Sequence, residues 1–394
     1  MVTSLFLKKT ITRSSPVTRT ARDRQIDSMF DVRPAETDSV SWDVDIEIPA
    51  PDESRGQVIV MHGGSGSGKT TIARELFGAE NVLELTKEKT PWSWPADSRF
   101  PNGFAKGMSV RTITDALSSV GFSSPPAWRR PFHVLSNGQQ FRVNLARALA
   151  ERELVVIDEF GAFVDPQIRM VAAAAAAKAA RRMNKRFVAL VSQSDCVPYF
   201  EPDVLIEIKA PSGDGPQPVS AQLTRGLVRR PPIQLRVIRT DRSTWLRVRG
   251  HHYLSGDIHR AAACYAGLVD GKLAAFTAVL FFPHPSRPGW REHRTVCLPE
   301  FQGVGIGNAM SEFVASVYAA TGKPYRSTTS HPAMIRHRMR SKNWKMTRKP
   351  GILGSHTDNG ATGMTAKSSS DRLTAGFEFV GPPREMDARR FGLP

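Results

Sequence analysis

Cysteine is scarce. Cys196, Cys264 and Cys297 are the only three in 394 residues, too few and too scattered for a disulfide framework or a zinc site. No apolar run approaches the ~18 residues that a membrane-spanning helix needs. The N-terminus offers only the short apolar patch Leu5 to Leu7 with cations behind it, which is no signal peptide. Glutamine is missing altogether between residues 71 and 134, and no internal repeat is visible. Against these absences, a hydrophobic content of 40% is ample for full cores. The expectation is a soluble, cytosolic protein of two or three domains with no membrane partner.

Acidic residues are thin in one half only. Residues 211–394 hold 27 Lys+Arg against 12 Asp+Glu, a net of +15, whereas the first 210 residues sit near +2. The densest stretch, Arg336 to Lys349, has seven cations and no acid. Clustering of this kind is the electrostatic footprint of a polyanionic partner, nucleic acid above all. A solvated basic face that only aids solubility is the plainer alternative.

Residues 1–36 read as a polar extension with Met29 to Val32 as its one anchor. From 37 to 210, β-branched runs (Val58–Met61, Leu154–Ile157, Phe187–Val191, Val204–Ile208) alternate with helical stretches, the pattern of a mainly parallel sheet. Pro211 to Gln222 breaks both periodicities, so 211–232 reads as a linker. A second α/β domain over 233–350 opens with a strand at Ile233–Thr240 and a helix near Thr244–Leu254. A β-hairpin follows, turning at Asp270-Gly271 between Cys264–Val269 and Leu273–Phe282. Further strands are expected at Arg294–Leu298 and Tyr325–Ser330, with helices at Asn308–Ala320 and after Pro332. Residues 351–394 read as a Gly/Ser/Thr-rich flexible segment whose tail, Arg372–Gly381, can return a last strand.

Gly63 to Thr71 spells GGSGSGKTT between the strand Val58–Met61 and a helix, the context a P-loop requires. Gly63, Gly64, Ser65, Gly66, Ser67 and Gly68 let the backbone curl so that successive N–H groups and a helix N-terminus surround phosphate oxygens. Lys69 supplies a point charge, Thr70 a hydroxyl for Mg²⁺, and Thr71 continues the cradle. Downstream, LSNGQ (Leu135 to Gln139) opens a helix, and Glu153 to Phe160 is an apolar strand ending in two carboxylates. Asp158 suits water-mediated Mg²⁺ coordination, and Glu159 suits polarising an attacking water.

P-loop, signature and hydrophobic strand plus DE, in this order, resemble the ABC ATPase family over about residues 30–210. The resemblance implies ATP and Mg²⁺ as ligands, sandwiched between two such domains in a dimer, most simply a homodimer. Ser136, Gly138 and Gln139 of one copy would then face the phosphate held by Lys69 of the other. Asp165 matches the D-loop, and Trp42 lies where the family places an aromatic on adenine. Two departures stand out. Gln193 occupies the place of the family's switch histidine and cannot titrate. The missing glutamine in 71–134 removes the loop that couples transporters to membrane partners.

Cys297 to Ala315 reads as strand, glycine loop and helix, with Gln302, Gly303, Gly305 and Gly307 in the loop. The Q-x-x-G-x-G spacing after a hairpin and strand resembles the GNAT acetyltransferase family. The fold class expected is therefore α/β, a P-loop ABC ATPase domain followed by an α/β GNAT acyltransferase domain. The resemblance implies that the loop binds the diphosphate of acetyl-CoA or another acyl-CoA. A tight strand–helix turn without a ligand is the alternative. Acyl transfer needs a base and a donor for the departing thiolate. Glu292, His293 and Glu300 are the base candidates, Tyr253 and Ser330 the donors. The whole resembles bacterial and phage proteins that fuse an ABC-type ATPase to a GNAT domain. Its second half is similar to the Mom-like branch, which modifies bases in DNA. Acyl transfer to DNA or RNA is the function this implies. A GNAT-fold nucleic-acid-binding module without transfer activity, and an N-acetyltransferase of proteins or small amines, are the alternatives.

Overall fold

The computed structural model describes residues 4–16, 20–30, 37–51, 56–85, 94, 100–209, 215–254, 257–352 and 373–393. The elements begin with β1 (Leu5–Pro16), α1 (Ala21–Phe30), β2 (Thr37–Ile48), β3 (Gln57–His62), α2 (Lys69–Phe77) and β4 (Val82–Glu84). Next come α3 (Val110–Ser119), α4 (Pro125–Trp128), α5 (Asn137–Glu151), β5 (Leu154–Asp158), α6 (Pro166–Arg182) and β6 (Arg186–Val191). Then α7 (Val197–Phe200), β7 (Val204–Glu207), β8 (Gln217–Leu223), β9 (Arg236–Thr240), α8 (Ser243–Val248) and β10 (Ala263–Val269) follow. The chain continues through β11 (Lys272–Phe282), β12 (Gly289–Cys297), α9 (Ile306–Ala319), β13 (Tyr325–Thr329) and α10 (Pro332–Arg340). It ends with β14 (Trp344–Ile352), β15 (Leu373–Phe379) and α11 (Glu385–Arg390).

The chain divides into two units, neither of which is continuous. The first comprises residues 1–92 and 151–231. Its sheet runs β1-β2-β8-β7-β3-β6-β5-β4, with β4, β5, β6, β3 and β7 parallel to one another. These strands are nearly unbroken apolar runs because helices cover both faces of such a sheet, and every residue of β6 is buried. Helix α6 starts on Asp165, whose carboxylate accepts from the N–H of Gln167 at 2.9 Å, with Pro166 in the first turn. The alanines 172–177 that follow are buried, their small side chains suiting close packing.

Two segments depart from expectation. The polar extension contains β1, which pairs with β2 in antiparallel register from Leu5↔Ile48 to Pro16↔Thr37. Only Ile11 of this strand is buried, so its alternation is too faint to be read from the sequence. The expected linker contains β8, which pairs with β2 and β7 and buries Val219 alone. One anchored side chain per strand leaves no period to detect. Of the expected flexible segment, residues 353–372 lie outside the described residues.

The second unit comprises residues 93–150 and 232–394. The segment carrying LSNGQ therefore belongs with the C-terminal half, and the expected 37–210 domain is interrupted. The sheet of this unit runs β14-β15-β13-β12-β11-β10-β9. The hairpin β10–β11 turns where expected, with Asp270 and Gly271 both at positive φ (49° and 75°), as a two-residue hairpin turn demands. β12 and β13 are parallel but share only the pairs Trp290↔Tyr325 and Arg291↔Arg326, and α9 provides the crossover between them. One core packs α9 on the sheet through Met310, Val314 and Tyr318 with Tyr265, Tyr325 and Phe377. A smaller one gathers Trp245, Val248, Phe276 and Val296.

Candidate functional site

The phosphate loop is built by backbone geometry. Gly66 and Gly68 adopt φ of +77° and +97°, the left-handed region that glycine enters without penalty. Gly63 has no room for a side chain, since a Cβ there would stand 2.2 Å from the Ile208 carbonyl and 2.6 Å from Ser67 Oγ. Lys69 is buried, and its ammonium donates to the carbonyls of Gly63 (2.9 Å) and Gly64 (2.7 Å). Desolvation holds its pKa below the ordinary lysine value, against the pull of Asp158 and Glu159. The Ser67 hydroxyl is fully buried with no partner, a polar group that the fold leaves for something else to satisfy. Gly64, Ser65 and Gly66 are exposed, and Thr71 is half-buried. A curled glycine loop, a buried ammonium held by carbonyls and an orphan hydroxyl fit a bound polyphosphate.

The two side chains that the sequence offers for Mg²⁺ come together. Thr70 Oγ1 donates to the Asp158 carboxylate at 2.9 Å, and the Glu159 N–H donates to the same carboxylate at 2.9 Å. Glu159 is exposed and sits at φ 48°, a conformation that non-glycine residues adopt at a cost of about 1–3 kcal/mol. The turn holds its side chain clear of the strand that ends at Asp158. Gln193 follows β6 half-buried on extended backbone. Trp42 requires a correction. It is only 4% exposed, and a Cβ on Gly68 would lie 2.3 Å from its ring. An indole packed so tightly into the loop is core and offers no open face to a base.

In the second unit, Ser136 and Gln139 close a reciprocal cap on α5. The Gln139 N–H donates to Ser136 Oγ (3.4 Å), and the Ser136 N–H donates to Gln139 Oε1 (3.2 Å). Ser136 is exposed and Gly138 half-buried, so this helix N-terminus faces outward. Nothing in LSNGQ beyond its spacing announces the cap.

The glycine loop before α9 has Gly303 and Gly305 at φ +96° and +98°. A Cβ on Gly305 would meet nothing within 4 Å, while one on Gly307 would touch Cys297 Cβ at 3.2 Å. Open space in front of a fourteen-residue helix's N-terminus suits an anion. Gln302 is buried. Its amide donates to the Cys297 carbonyl (2.7 Å) and its Oε1 accepts from the Ser123 N–H (2.8 Å).

Of the base candidates, Glu292 is not available. It is buried against Arg338 at 2.7 Å and accepts from Thr295, Ser311 and Ser327. Burial raises its pKa, but the Arg338 guanidinium and these hydroxyls outweigh that and hold it below the usual carboxylate value. Such a carboxylate anchors an ion pair and has no lone pair to spare. His293 is the extra residue of a β-bulge, for Ala278 pairs with Arg294 and Val279 with Glu292. Burial chiefly, aided by neighbouring arginines, lowers its pKa to about 4, and its Nε2 accepts from the His259 N–H at 3.1 Å. Glu300 is exposed. The two donors meet, since Tyr253 Oη accepts from the Ser330 N–H at 3.4 Å. Tyr253 also stacks on His252, centroids 4.7 Å apart.

The sequence points to the stretch Ser327–Arg338 without giving His331 a role of its own, and it misses Arg142. His331 Nε2 bonds the Ser123 carbonyl at 2.8 Å, and its Nδ1 is buried without a partner. Arg142 is buried on α5 among carbonyls. The basic run is also less free than its count suggests. Arg338 is in the core with Glu292, and Arg336 pairs with Asp115. Arg340, Lys342, Lys345 and Lys349 are exposed.

Loop, Thr70–Asp158 pair and exposed glutamate make up the arrangement that the sequence leads one to expect of a P-loop nucleotide site. Within roughly the first half, the chain is homologous to ATP-binding proteins of ABC import systems. It is 34% identical over 143 residues to a putative 2-aminoethylphosphonate import ATP-binding protein of Salmonella typhimurium, covering 29% of this chain and 38% of that protein. Over 160 residues it is 29% identical to the glutamate transport ATP-binding protein GluA of Corynebacterium glutamicum, covering 32% and 63%. The zinc import ATP-binding protein ZnuC 2 of Aliivibrio fischeri is 31% identical over 120 residues, covering 27% and 49%. The chain thus spans between 38% and 63% of the length of these relatives. Among solved structures, cbiO1 from Clostridium perfringens overlays with a TM-score of 0.36 at 18% identity, covering 46% of this chain and 83% of that one. No family model matches the chain. Among the described residues, no helix is long and apolar enough to cross a membrane.

Proposed function

We propose that the chain couples ATP hydrolysis in an ABC-type unit to acyl transfer from acetyl-CoA, or another acyl-CoA, onto nucleic acid. The observation that carries the transferase half is the strand order β9-β10-β11-β12-β13-β15-β14, with β12 and β13 parting after two residue pairs and α9 rising from a glycine loop between them. This is the arrangement that the GNAT resemblance calls for. The loop amides and the α9 N-terminus would hold the CoA diphosphate, and the parted strands leave backbone groups of β12 to align a thioester arm. Acyl-CoA, when bound, supplies the activated acyl group. Tyr253 is the donor best placed for the departing thiolate, because its hydroxyl accepts from Ser330 and keeps its own proton to give. Among the base candidates, His293 stays neutral to low pH and Glu300 is solvent-accessible. At the ATPase site, Lys69 and Thr71 would grip phosphate, Thr70 and Asp158 would hold Mg²⁺, and Glu159 would orient water. Ser136, Gly138 and Gln139 would close on the nucleotide of a second copy, with Asp165 beside it and Gln193 in the switch position.

Nucleic acid is favoured as acceptor by Arg340, Lys342, Lys345 and Lys349, which stay exposed. An amine on a protein or small molecule is the second reading. It is favoured by the internal pairing of Arg336 and Arg338, which thins the basic face. Incubation with labelled acetyl-CoA and DNA or RNA, with and without ATP, tests the proposal. Label in nucleic acid, enhanced by ATP and abolished by Gly307→Leu, is expected. Label in protein alone, or none, overturns it.

A further inference from the structure

The segment bearing the ABC signature and the glycine loop before α9 are fastened to each other at several points inside the second unit. Arg142 lies four residues past Gly138, one helical turn along α5. Its guanidinium donates to the Gly121 carbonyl at 2.7 Å, to the Pro299 carbonyl and to the Glu300 carbonyl at 3.4 Å. It is 3% exposed, and its neighbours are peptide oxygens, a set of partners fixed in direction by the planar fork. The peptide at Ser123 is held at both ends, its N–H by Gln302 Oε1 and its carbonyl by His331 Nε2, each at 2.8 Å. Gly121 sits at φ +84°, and a Cβ there would stand 2.4 Å from the Gln302 carbonyl. The chain around Gln302 therefore has little freedom to move without α5 and the turn at 121–124. Arg338 and Glu292 make a denser polar network, but it is closed upon itself in the core and does not join α5 to the Gln302 loop.

We propose that Arg142 is a positioning residue that makes the Gln302 loop part of the signature segment, so that nucleotide bound against Ser136 and acyl-CoA bound at the loop alter each other's affinity. The proposal rests on the ATP and acyl-CoA reading given above. Its physical content is a rigid connection. A displacement of the α5 N-terminus on closing over a phosphate is transmitted, through a buried guanidinium that cannot re-pair elsewhere, to the backbone of Pro299 and Glu300. Such coupling is reciprocal, each ligand changing the other's dissociation constant by the same factor.

Calorimetry on the full chain carrying Glu159→Gln, which removes the water-polarising carboxylate, tests this. Acetyl-CoA is titrated with and without saturating ATP-Mg²⁺, then ATP-Mg²⁺ with and without acetyl-CoA. The expected factor is about fivefold or more, equal in both directions. Adding Arg142→Lys, which keeps the charge but not the fork, is expected to bring the factor within about twofold of unity while each ligand alone still binds. Arg142→Gln, which removes the buried charge together with the fork, is expected to do likewise and covers the case in which the lysine variant does not fold. A factor of unity in the parent chain, or an undiminished factor in a folded variant, overturns the proposal. Absence of acetyl-CoA binding under either condition overturns the transferase reading and the coupling together, an outcome plainly different from binding without coupling.

Discussion

At Glu159 the backbone is driven to φ 48° immediately after the carboxylate that meets Thr70. Substitution by glutamine keeps shape and hydrogen bonding but loses the charge that the proposed function uses to orient water. ATP turnover is expected to fall by a factor of about 10²–10⁴ with ATP affinity retained, measurable by phosphate release and by calorimetry. Glu292 behaves differently because it is a member of a buried ion pair. Removing its charge leaves the Arg338 guanidinium uncompensated, and Glu292→Gln is expected to lower unfolding free energy by about 3–5 kcal/mol. The folded carboxyl titrates below its ordinary value, so its contribution is present above the unfolded pKa of about 4.3 and is lost as pH falls through the folded value. Urea midpoints of the parent and the variant should therefore differ widely at pH 7 and converge in strong acid. His252 adds to acid sensitivity. Burial chiefly lowers its pKa to about 4, so protons favour the unfolded chain as pH falls from about 6.5 towards 4.

At the scale of elements, the loop around Gly68 is limited by Trp42. Gly68→Ala is expected to displace that indole, lowering the melting temperature and weakening ATP binding together, whereas Gly64→Ala, which has open space, should leave stability nearly unchanged. Much of this architecture is legible from the sequence, and the reasons differ by element. The hairpin at Asp270-Gly271 and the parallel strands Val58–Met61 and Phe187–Val191 are readable because turn chemistry and unbroken apolar runs are strong local signals. β1 and β8 are not readable, since each buries a single side chain and draws its stability from backbone pairing with β2. Ser136, Lys69, Thr70 and Asp158 are found by spacing. Arg142 is hidden because α5 is buried on nearly every side from Gln140 to Leu149, and a helix without a polar face gives no cue as to which charge is held inside. Glu292 was legible as a carboxylate beside a histidine, but its partner Arg338 lies 46 positions away in a run that reads as solvent-facing.

At the scale of the whole molecule, the excess of cations in residues 211–394 is partly internal. If nucleic acid is the acceptor, its affinity should fall with salt with a slope set by phosphate contacts. Replacing Arg340, Lys342, Lys345 and Lys349 together by glutamine is then expected to lessen that slope by about three, read by anisotropy titrations across salt concentrations. An unchanged slope would place the nucleic-acid contact elsewhere.

The chain leaves its first unit after residue 92, spends 93–150 in the second, and returns at 151. No single cut can therefore separate the two units with both intact. A fragment ending at residue 231 would carry α5 stripped of the Pro299 and Glu300 carbonyls, leaving Arg142 with the Gly121 carbonyl. A fragment starting at residue 232 would lose the peptide that Gln302 and His331 grip. Split expression should give insoluble pieces where co-expression restores them. The two units would then be inherited as one indivisible object, not exchanged as modules.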